Sequence, residues 1–119
     1  MIKKSVLLAM VFVVGAGTTA LKAAAQDDAA KVKKGQEVYT AQKCSVCHQI
    51  AGKGNAANKL DGVGKKLTAD QIKTWITDPV KAAADATPPS TKKPPMPAKY
   101  KTLKADEVDA LVAYMQSLK

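Results

Sequence analysis

Apolar residues recur at intervals of three and four in three stretches of the chain, which is the spacing of one face of an α-helix. The first helix is predicted to run from Asp27 or Asp28 to Ala41, the second follows Thr68, and the third spans residues 105–118. One face of the first helix carries Val32, Gly35 and Tyr39. The second helix is predicted to bury a stripe of Ile72, Trp75 and Ile76. The third helix has an apolar stripe of Val108, Leu111, Val112, Met115 and Leu118. Because no convincing strand pattern accompanies them, the sequence predicts an all-α protein of three to four helices joined by irregular loops.

Local signals mark where these helices begin and end. Thr68 is followed three residues later by Gln71, the arrangement of a capping box. Asp78-Pro79 is expected to end or bend the second helix, and residues 81–84 add a further short turn. Lys104 stands at the cap position of the last helix, where its side chain has no acceptor to offer, so that cap is predicted to be weak.

Two segments between the helices are predicted to be irregular. Residues 52–64 contain four glycines but no Gly-Lys-Ser/Thr, so they indicate a surface loop and not a phosphate-binding loop. Residues 86–98 contain five prolines, which forbid a regular helix or central strand. Too little chain follows for a second domain, so this stretch is interpreted as a stiff loop that presents Met96 between Pro95 and Pro97.

The run Cys44-Ser45-Val46-Cys47-His48 carries the most specific chemistry in the chain. Cys-x-x-Cys-His is the attachment signature of a c-type haem, in which two thiols form thioether bonds and the histidine binds the iron. The chain has no other cysteine and no other histidine. A zinc site usually needs four such ligands, and a thioredoxin-like dithiol usually lies in a pattern of strands and helices. Haem attachment is therefore favoured, with a zinc or dithiol role as the alternative.

Methionine is the usual choice for the second axial position when a second histidine is absent. Two methionines remain once the N-terminal segment is set aside. Met115 falls on an apolar helical stripe and is most simply a core residue, whereas Met96 lies in the proline-stiffened loop. Met96 is therefore predicted to be the distal iron ligand, with Met115 or an open or lysine-ligated position as the alternatives.

The N-terminus has the layout of a secretory signal peptide. Lys3 and Lys4 precede an apolar run, and Ala23-Ala24-Ala25 stands before Gln26, so cleavage is predicted after Ala25. The apolar run is shorter than the ~20 residues of a membrane span, although an uncleaved anchor is the alternative. We expect a periplasmic domain of residues 26–119, with no membrane span in the mature form.

Composition narrows the possible partners of this domain. Loss of Lys3, Lys4 and Lys22 leaves 16 lysines against ten acidic residues, a net charge of +6, and the chain has no arginine. An exported chain without arginine or a basic-aromatic motif is not expected to bind nucleic acid. A lysine-rich surface that docks on acidic redox proteins is expected instead. Large apolar side chains are few, so the haem is predicted to form part of the core.

These features resemble the class I, mitochondrial-type cytochromes c, in particular the small bacterial periplasmic monohaem kind. The resemblance extends from about residue 29 to residue 119 and rests on residues 44–48, on Pro95-Met96-Pro97, and on the two terminal helices. It implies that these helices cross, with Gly35 allowing close approach, and that Trp75 lies beside the haem and its propionates. Where the family often has Gly-Pro, with a proline carbonyl that accepts the proximal histidine's Nδ1–H, this chain has Ala57-Asn58.

The predicted function is that of a soluble one-electron carrier, not an enzyme. Cys44 and Cys47 are expected to hold one haem c, with His48 as proximal and Met96 as distal iron ligand. The carrier is expected to be monomeric and to exchange electrons with redox protein partners. The alternatives are a haem-containing subunit of a complex, a small-ligand haem sensor, or a haem-free dithiol protein.

Overall fold

The computed structural model describes residues 19–119, and their side chains from residue 26 onward. In that part of the chain the helices are α1 Thr19–Ala41, α2 Val63–Lys66, α3 Ala69–Thr77, α4 Pro79–Asp85 and α5 Ala105–Ser117. Two 3₁₀ turns cover Cys44–Val46 and Ala98–Thr102, and two short strands are β1 Gln49–Ile50 and β2 Lys53–Gly54. The all-α prediction is confirmed, and five α-helices in the described residues replace the predicted three to four.

Helix α1 begins earlier than the sequence pattern predicted. It starts at Thr19 and passes through Asp27 and Asp28, so neither aspartate caps it. The alanine-rich residues that precede Asp27 are strong helix formers, and their propensity outweighs the capping tendency of aspartate. The predicted end at Ala41 is confirmed. Residues 1–18 of the predicted signal peptide lie outside the described residues.

The expectation that strands are absent was wrong at one place. Strands β1 and β2 pair antiparallel, with Gln49 opposite Gly54 and Ile50 opposite Lys53. Ala51 and Gly52 connect them with φ values of 50° and 77°, as a two-residue hairpin turn with two positive φ angles requires. A hairpin with two residues per strand is too short to show alternating hydrophobicity, which explains why the pattern missed it.

The core forms where α5 packs against α1 and α3. Val38 of α1, Ile72 and Ile76 of α3, and Val108, Leu111 and Met115 of α5 are its buried members. Gly35 is buried at the approach of α1 to α5, where a Cβ would overlap the Ala110 carbonyl and lie 2.6 Å from Tyr114 Cβ. The close approach implied for Gly35 is therefore confirmed. Trp75 is only half-buried, so the predicted buried stripe of α3 is limited to its two isoleucines.

The predicted helix ends agree with the structure around α3. Thr68 Oγ1 accepts from Gln71 N at 3.2 Å, and Gln71 Oε1 accepts from Thr68 N at 2.9 Å, which completes the capping box. Asp78 ends α3 and caps α4, where its side chain accepts from Lys81 N at 3.1 Å. None of the helices within residues 19–119 is long and apolar enough to cross a membrane.

Candidate functional site

The Cys-x-x-Cys-His segment is positioned by the end of α1. Lys43 adopts a left-handed conformation with φ of 56°, which ends the helix and turns the chain into the 3₁₀ turn at Cys44. Within the turn, the amides of Cys47 and His48 both donate to the Cys44 carbonyl, at 3.1 and 3.0 Å. The two thiols and the imidazole are therefore carried by one compact turn, fixed to the helix that packs against α5.

The loop after β2 folds back and binds the backbone of this turn. The backbone amide of Asn55 donates to the His48 carbonyl at 3.0 Å, and its side-chain Nδ2 donates to the Val46 carbonyl at 3.2 Å. Asn58 Nδ2 donates to the Cys47 carbonyl at 3.2 Å. The Asn58 carbonyl in turn accepts from Gln49 N at 3.0 Å. Asn55 and Asn58 thus bind the carbonyl groups of Val46, Cys47 and His48. We call residues 55–58 the asparagine loop.

No disulfide joins the two cysteines, and their environments differ. Cys44 is half-buried and Cys47 is exposed. Burial raises the pKa of the Cys44 thiol, which keeps this group protonated near neutral pH. Reactive dithiols of the thioredoxin type instead have a lowered thiol pKa. The environment of Cys44 therefore does not favour the dithiol alternative.

His48 is half-buried and its imidazole is neutral at neutral pH. Burial lowers its pKa, the Asn58 backbone acts in the opposite direction, and the charge of Lys92 lowers it further. A neutral imidazole has a nitrogen lone pair available for a metal. Its buried Nδ1 has no hydrogen-bond partner among the described residues. An axial histidine needs a partner at that nitrogen to fix its orientation, and the Asn58 backbone is the group beside it.

A zinc site is not favoured by the surroundings of the motif. Within residues 19–119, no group of three or more histidine, cysteine and acidic side chains comes close enough together to hold a metal ion. A structural zinc site requires four ligands in tetrahedral arrangement. Two thiols and one imidazole in a tight turn instead suit a cofactor that forms two covalent bonds and takes one nitrogen ligand.

The proline-rich segment contacts the loop that follows the motif through Lys92. On one side of Met96, Lys92 Nζ donates to the Ala57 carbonyl at 3.2 Å and to Asn58 Oδ1 at 3.0 Å. On the other side, Tyr100 has a raised pKa, first because it is partly buried and then because the two motif thiols lie nearby. Met96 is half-buried between exposed neighbours. Lys92 therefore joins the segment before Met96 to the loop that follows the motif, whereas Tyr100 after Met96 packs against the core.

The two methionines occupy different environments. Met115 is 6% exposed and belongs to the core, as its place on the helical stripe predicted. Met96 and Trp75 are half-buried, and neither is part of the core cluster or of the partly buried side chains packed against it. Both side chains are therefore shielded from solvent without serving the contact between α1, α3 and α5.

Residues beyond the predicted set also contribute to the site region. Tyr39 packs edge-on against Tyr114 with ring centroids 5.7 Å apart, and its buried Oη has no partner among the described residues. Burial, with smaller effects of Cys44 and Tyr114, raises the pKa of Tyr39 to about 12. The sequence placed Tyr39 on the face of the first helix without assigning it to the site, and no sequence signal pointed to Lys92 as a contact of Ala57 and Asn58.

Comparison with known proteins identifies the family. A family model described as Cytochrome c matches residues 32–119, which include the motif, the proline-rich segment and α2 to α5. No curated protein and no solved structure matches the chain. The chain therefore belongs to the cytochrome c family, whose domains hold covalently bound haem c, and Cys44 and Cys47 have the spacing that this attachment requires.

Proposed function

We propose that this cytochrome c is a one-electron carrier whose haem iron is bound by His48 on one face and Met96 on the other. Cys44 and Cys47 form the two thioether bonds. Trp75 lies in the environment of the propionates. Residues 26–119 form the working domain, released in the periplasm after removal of residues 1–25.

The observation that carries this proposal is the position of residues 92–100 relative to the motif. Lys92 contacts the loop beside His48, and Tyr100 lies near both cysteines. Met96 lies between these two residues in the chain and is half-buried although its neighbours are exposed. Proline on both sides restricts φ, so the thioether is held in a small range of positions. Such a residue suits a fixed axial ligand better than a flexible surface side chain.

When bound, haem c supplies reversible one-electron chemistry at its iron, with no bond to substrate made or broken. The chain's own residues keep the two ligands in place and limit the access of water. The neutral imidazole of His48 is available as a ligand, and the Asn58 carbonyl is the acceptor we assign to its Nδ1–H. Ligands held in this way change little between oxidation states, which favours fast electron exchange.

An enzymatic role is not proposed. A haem peroxidase needs an open coordination position with acid–base residues beside it. The chain has one histidine, His48, which we assign as an iron ligand, and it has no arginine. The partners we propose are redox proteins with acidic docking surfaces, because exposed lysines lie on both sides of Met96.

Replacement of the two methionines by leucine tests the ligand assignment. Leucine removes the thioether but conserves most of the apolar volume, so Met96→Leu and Met115→Leu form a matched pair. We expect the haem-loaded Met96→Leu protein to lose the weak long-wavelength band of methionine-bound ferric iron and to show a lower reduction potential. Met115→Leu should keep both properties.

Three results would contradict the proposal. A wild-type protein without the methionine band would show that Met96 does not bind the iron. Retention of the band in Met96→Leu would assign another ligand. Rapid carbon monoxide binding by the reduced wild-type protein would indicate an open position and favour the sensor alternative.

A further inference from the structure

Lys92 connects the proline-rich loop to the motif through a short chain of hydrogen bonds. Its Nζ donates to Asn58 Oδ1 at 3.0 Å, and the Nδ2 of the same asparagine donates to the Cys47 carbonyl at 3.2 Å. A second bond runs from Lys92 Nζ to the Ala57 carbonyl at 3.2 Å. Both polar atoms of the Asn58 side-chain amide are therefore hydrogen-bonded. Its oxygen accepts from the Met96 loop, residues 86–98, and its nitrogen donates to the haem-attachment turn, residues 44–48.

The loop has few other contacts that would hold it in this position. Most of residues 86–97 are exposed, and their prolines have no amide hydrogen to donate. Ser90 N donates to the Ala83 carbonyl at 2.9 Å, but this bond joins the loop to α4 and not to the motif. Segments with little buried apolar surface open at low free-energy cost unless specific contacts restrain them. The two bonds of Lys92 are restraints of this kind.

We propose that Lys92 is a positioning residue: the chain Lys92–Asn58–Cys47 fastens the Met96 loop to the haem-attachment turn and keeps a positive charge beside His48. This inference rests on the proposed His48 and Met96 ligation. Both effects favour the reduced protein, since a held thioether raises the reduction potential and a nearby positive charge stabilises the state with the lower iron charge. The charge lies near His48 because Lys92 Nζ is bound to Ala57 and Asn58, and the Asn58 carbonyl accepts from the amide of Gln49, the residue after His48.

Neighbouring residues provide the variants that test this role. Lys92→Gln removes the charge and replaces lysine by a shorter side chain, so that its donor no longer reaches Asn58. Lys92→Arg keeps both a positive charge and a long side chain with donors. Lys93→Gln removes the same charge from the adjacent exposed residue, which has no hydrogen bond to the asparagine loop in the described part of the chain. Asn58→Ala removes the middle of the chain without changing the net charge.

The readouts are the reduction potential and the urea concentration at which the methionine band disappears. Lys92→Gln should lower the equilibrium constant for reduction about threefold at low salt, which is roughly 30 mV for a one-electron couple. Lys92→Gln and Asn58→Ala should each lose the band at a lower urea concentration than the wild type. The double variant should lose it at the same urea concentration as the more sensitive of the two single variants, because both substitutions break one chain of hydrogen bonds. Lys92→Arg should resemble the wild type, and Lys93→Gln should keep the wild-type urea midpoint.

The possible failures are distinguishable. Equal effects of Lys92→Gln and Lys93→Gln on both readouts, in a protein whose band depends on Met96, would overturn the positioning role and leave the proposed ligation intact. Additive effects of Lys92→Gln and Asn58→Ala would do the same. A wild-type protein without a Met96-dependent band would overturn both proposals.

Discussion

At the scale of single residues, the site depends on backbone positions as much as on the ligands themselves. Gly54 has a φ of 106°, and a Cβ there would overlap the His48 carbonyl oxygen and lie 3.0 Å from the Ser45 carbonyl oxygen. Gly52 also has a positive φ, of 77°, but has nothing within 4 Å of its Cβ position. A side chain at Gly52 would therefore cause conformational strain alone, whereas a side chain at Gly54 would also collide with the haem-attachment turn.

Substitution of these glycines by alanine should have unequal effects. Gly52→Ala carries only the strain of a positive φ and should lower the free energy of unfolding by about 1 kcal/mol. Gly54→Ala adds displacement of the His48 carbonyl and should cost about 3 kcal/mol, with a lower yield of haem attachment. Urea unfolding of the haem-loaded proteins measures the difference. Equal destabilisation by the two substitutions would show that Gly54 does not support the turn.

Tyr39 gives an expected dependence of stability on alkaline pH. Its folded-state pKa of about 12 lies above its ordinary value of 10, so folding favours the neutral phenol. This contribution to stability is fully present below pH 10 and is lost as the pH rises from 10 through about 12. Tyr39→Phe should reduce the loss of stability in that window. At pH 7 it should leave stability unchanged or slightly higher, because it removes a buried hydroxyl without a partner.

Urea midpoints at pH 7, 10 and 11.5, compared between the wild type and Tyr39→Phe, provide the measurement. A substantial loss of stability in Tyr39→Phe at pH 7 would mean that the hydroxyl gains a hydrogen bond when haem is attached. An unchanged alkaline loss would assign the titration to other groups.

At the scale of elements, the contact between α1 and α5 holds the haem-attachment turn in place. The turn follows α1 directly, and α1 packs against α5 at Gly35 and through the edge-on contact of Tyr39 with Tyr114. At Gly35, α1 approaches α5 closely, against the Ala110 carbonyl and Tyr114. A disturbance at this contact is therefore expected to reach the motif.

Gly35→Ala should be destabilising although alanine is the better helix former. The propensity gain is about 1 kcal/mol, but the new methyl group meets a backbone carbonyl that cannot rotate away. We expect a net loss of about 2 kcal/mol or more in the free energy of unfolding. Gln36→Ala, at the adjacent exposed position of the same helix, should change it by less than about 0.5 kcal/mol. A stabilised Gly35→Ala protein would contradict the close approach of the two helices.

The elements differ in how well the sequence predicted them. Helix α3 was predicted to begin after Thr68 because its capping box is a local signal that involves only residues 68–71. Helix α5 was predicted within one residue, because its apolar stripe is long and regular. The start of α1 and the hairpin of β1 and β2 were missed. The former depends on helix propensity summed over several residues, and the latter is too short to have a period.

At the scale of the whole molecule, a group of exposed lysines flanks Met96 in the sequence. The exposed lysines on either side of it are Lys92, Lys93, Lys99, Lys101 and Lys104. Lys92 has a structural contact, and Lys99 lies 5.2 Å from the centre of the Tyr100 ring. Val46 of the motif is 67% exposed, so an apolar side chain is accessible at the attachment turn. We expect these exposed lysines to favour brief encounters with acidic partners.

Electron exchange with small charged complexes tests this distribution without a known partner. Oxidation of the reduced protein by an anionic iron–cyanide complex should slow as salt is added, whereas oxidation by a cationic cobalt complex should accelerate. Neutralisation of Lys99 and Lys101 by glutamine should lower the anion rate several-fold at low salt. The same change at Lys31 and Lys33 alters the net charge equally and serves as the control. Equal effects of the two pairs would mean that only the net charge matters.

The sequence by itself determined the chemistry of this protein and the nature of its elements. Residues 44–48 form an attachment signature because its meaning lies in residue type and local spacing, and the single histidine limits the ligands that remain. Only the tertiary structure decided how distant segments meet. The contacts of Lys92 with Ala57 and Asn58 join residues 34 or 35 positions apart, and no periodicity or local propensity records such a pairing. Long-range contacts of this kind depend on the packing of the whole chain, which joins the segment before Met96 to the loop that follows the motif.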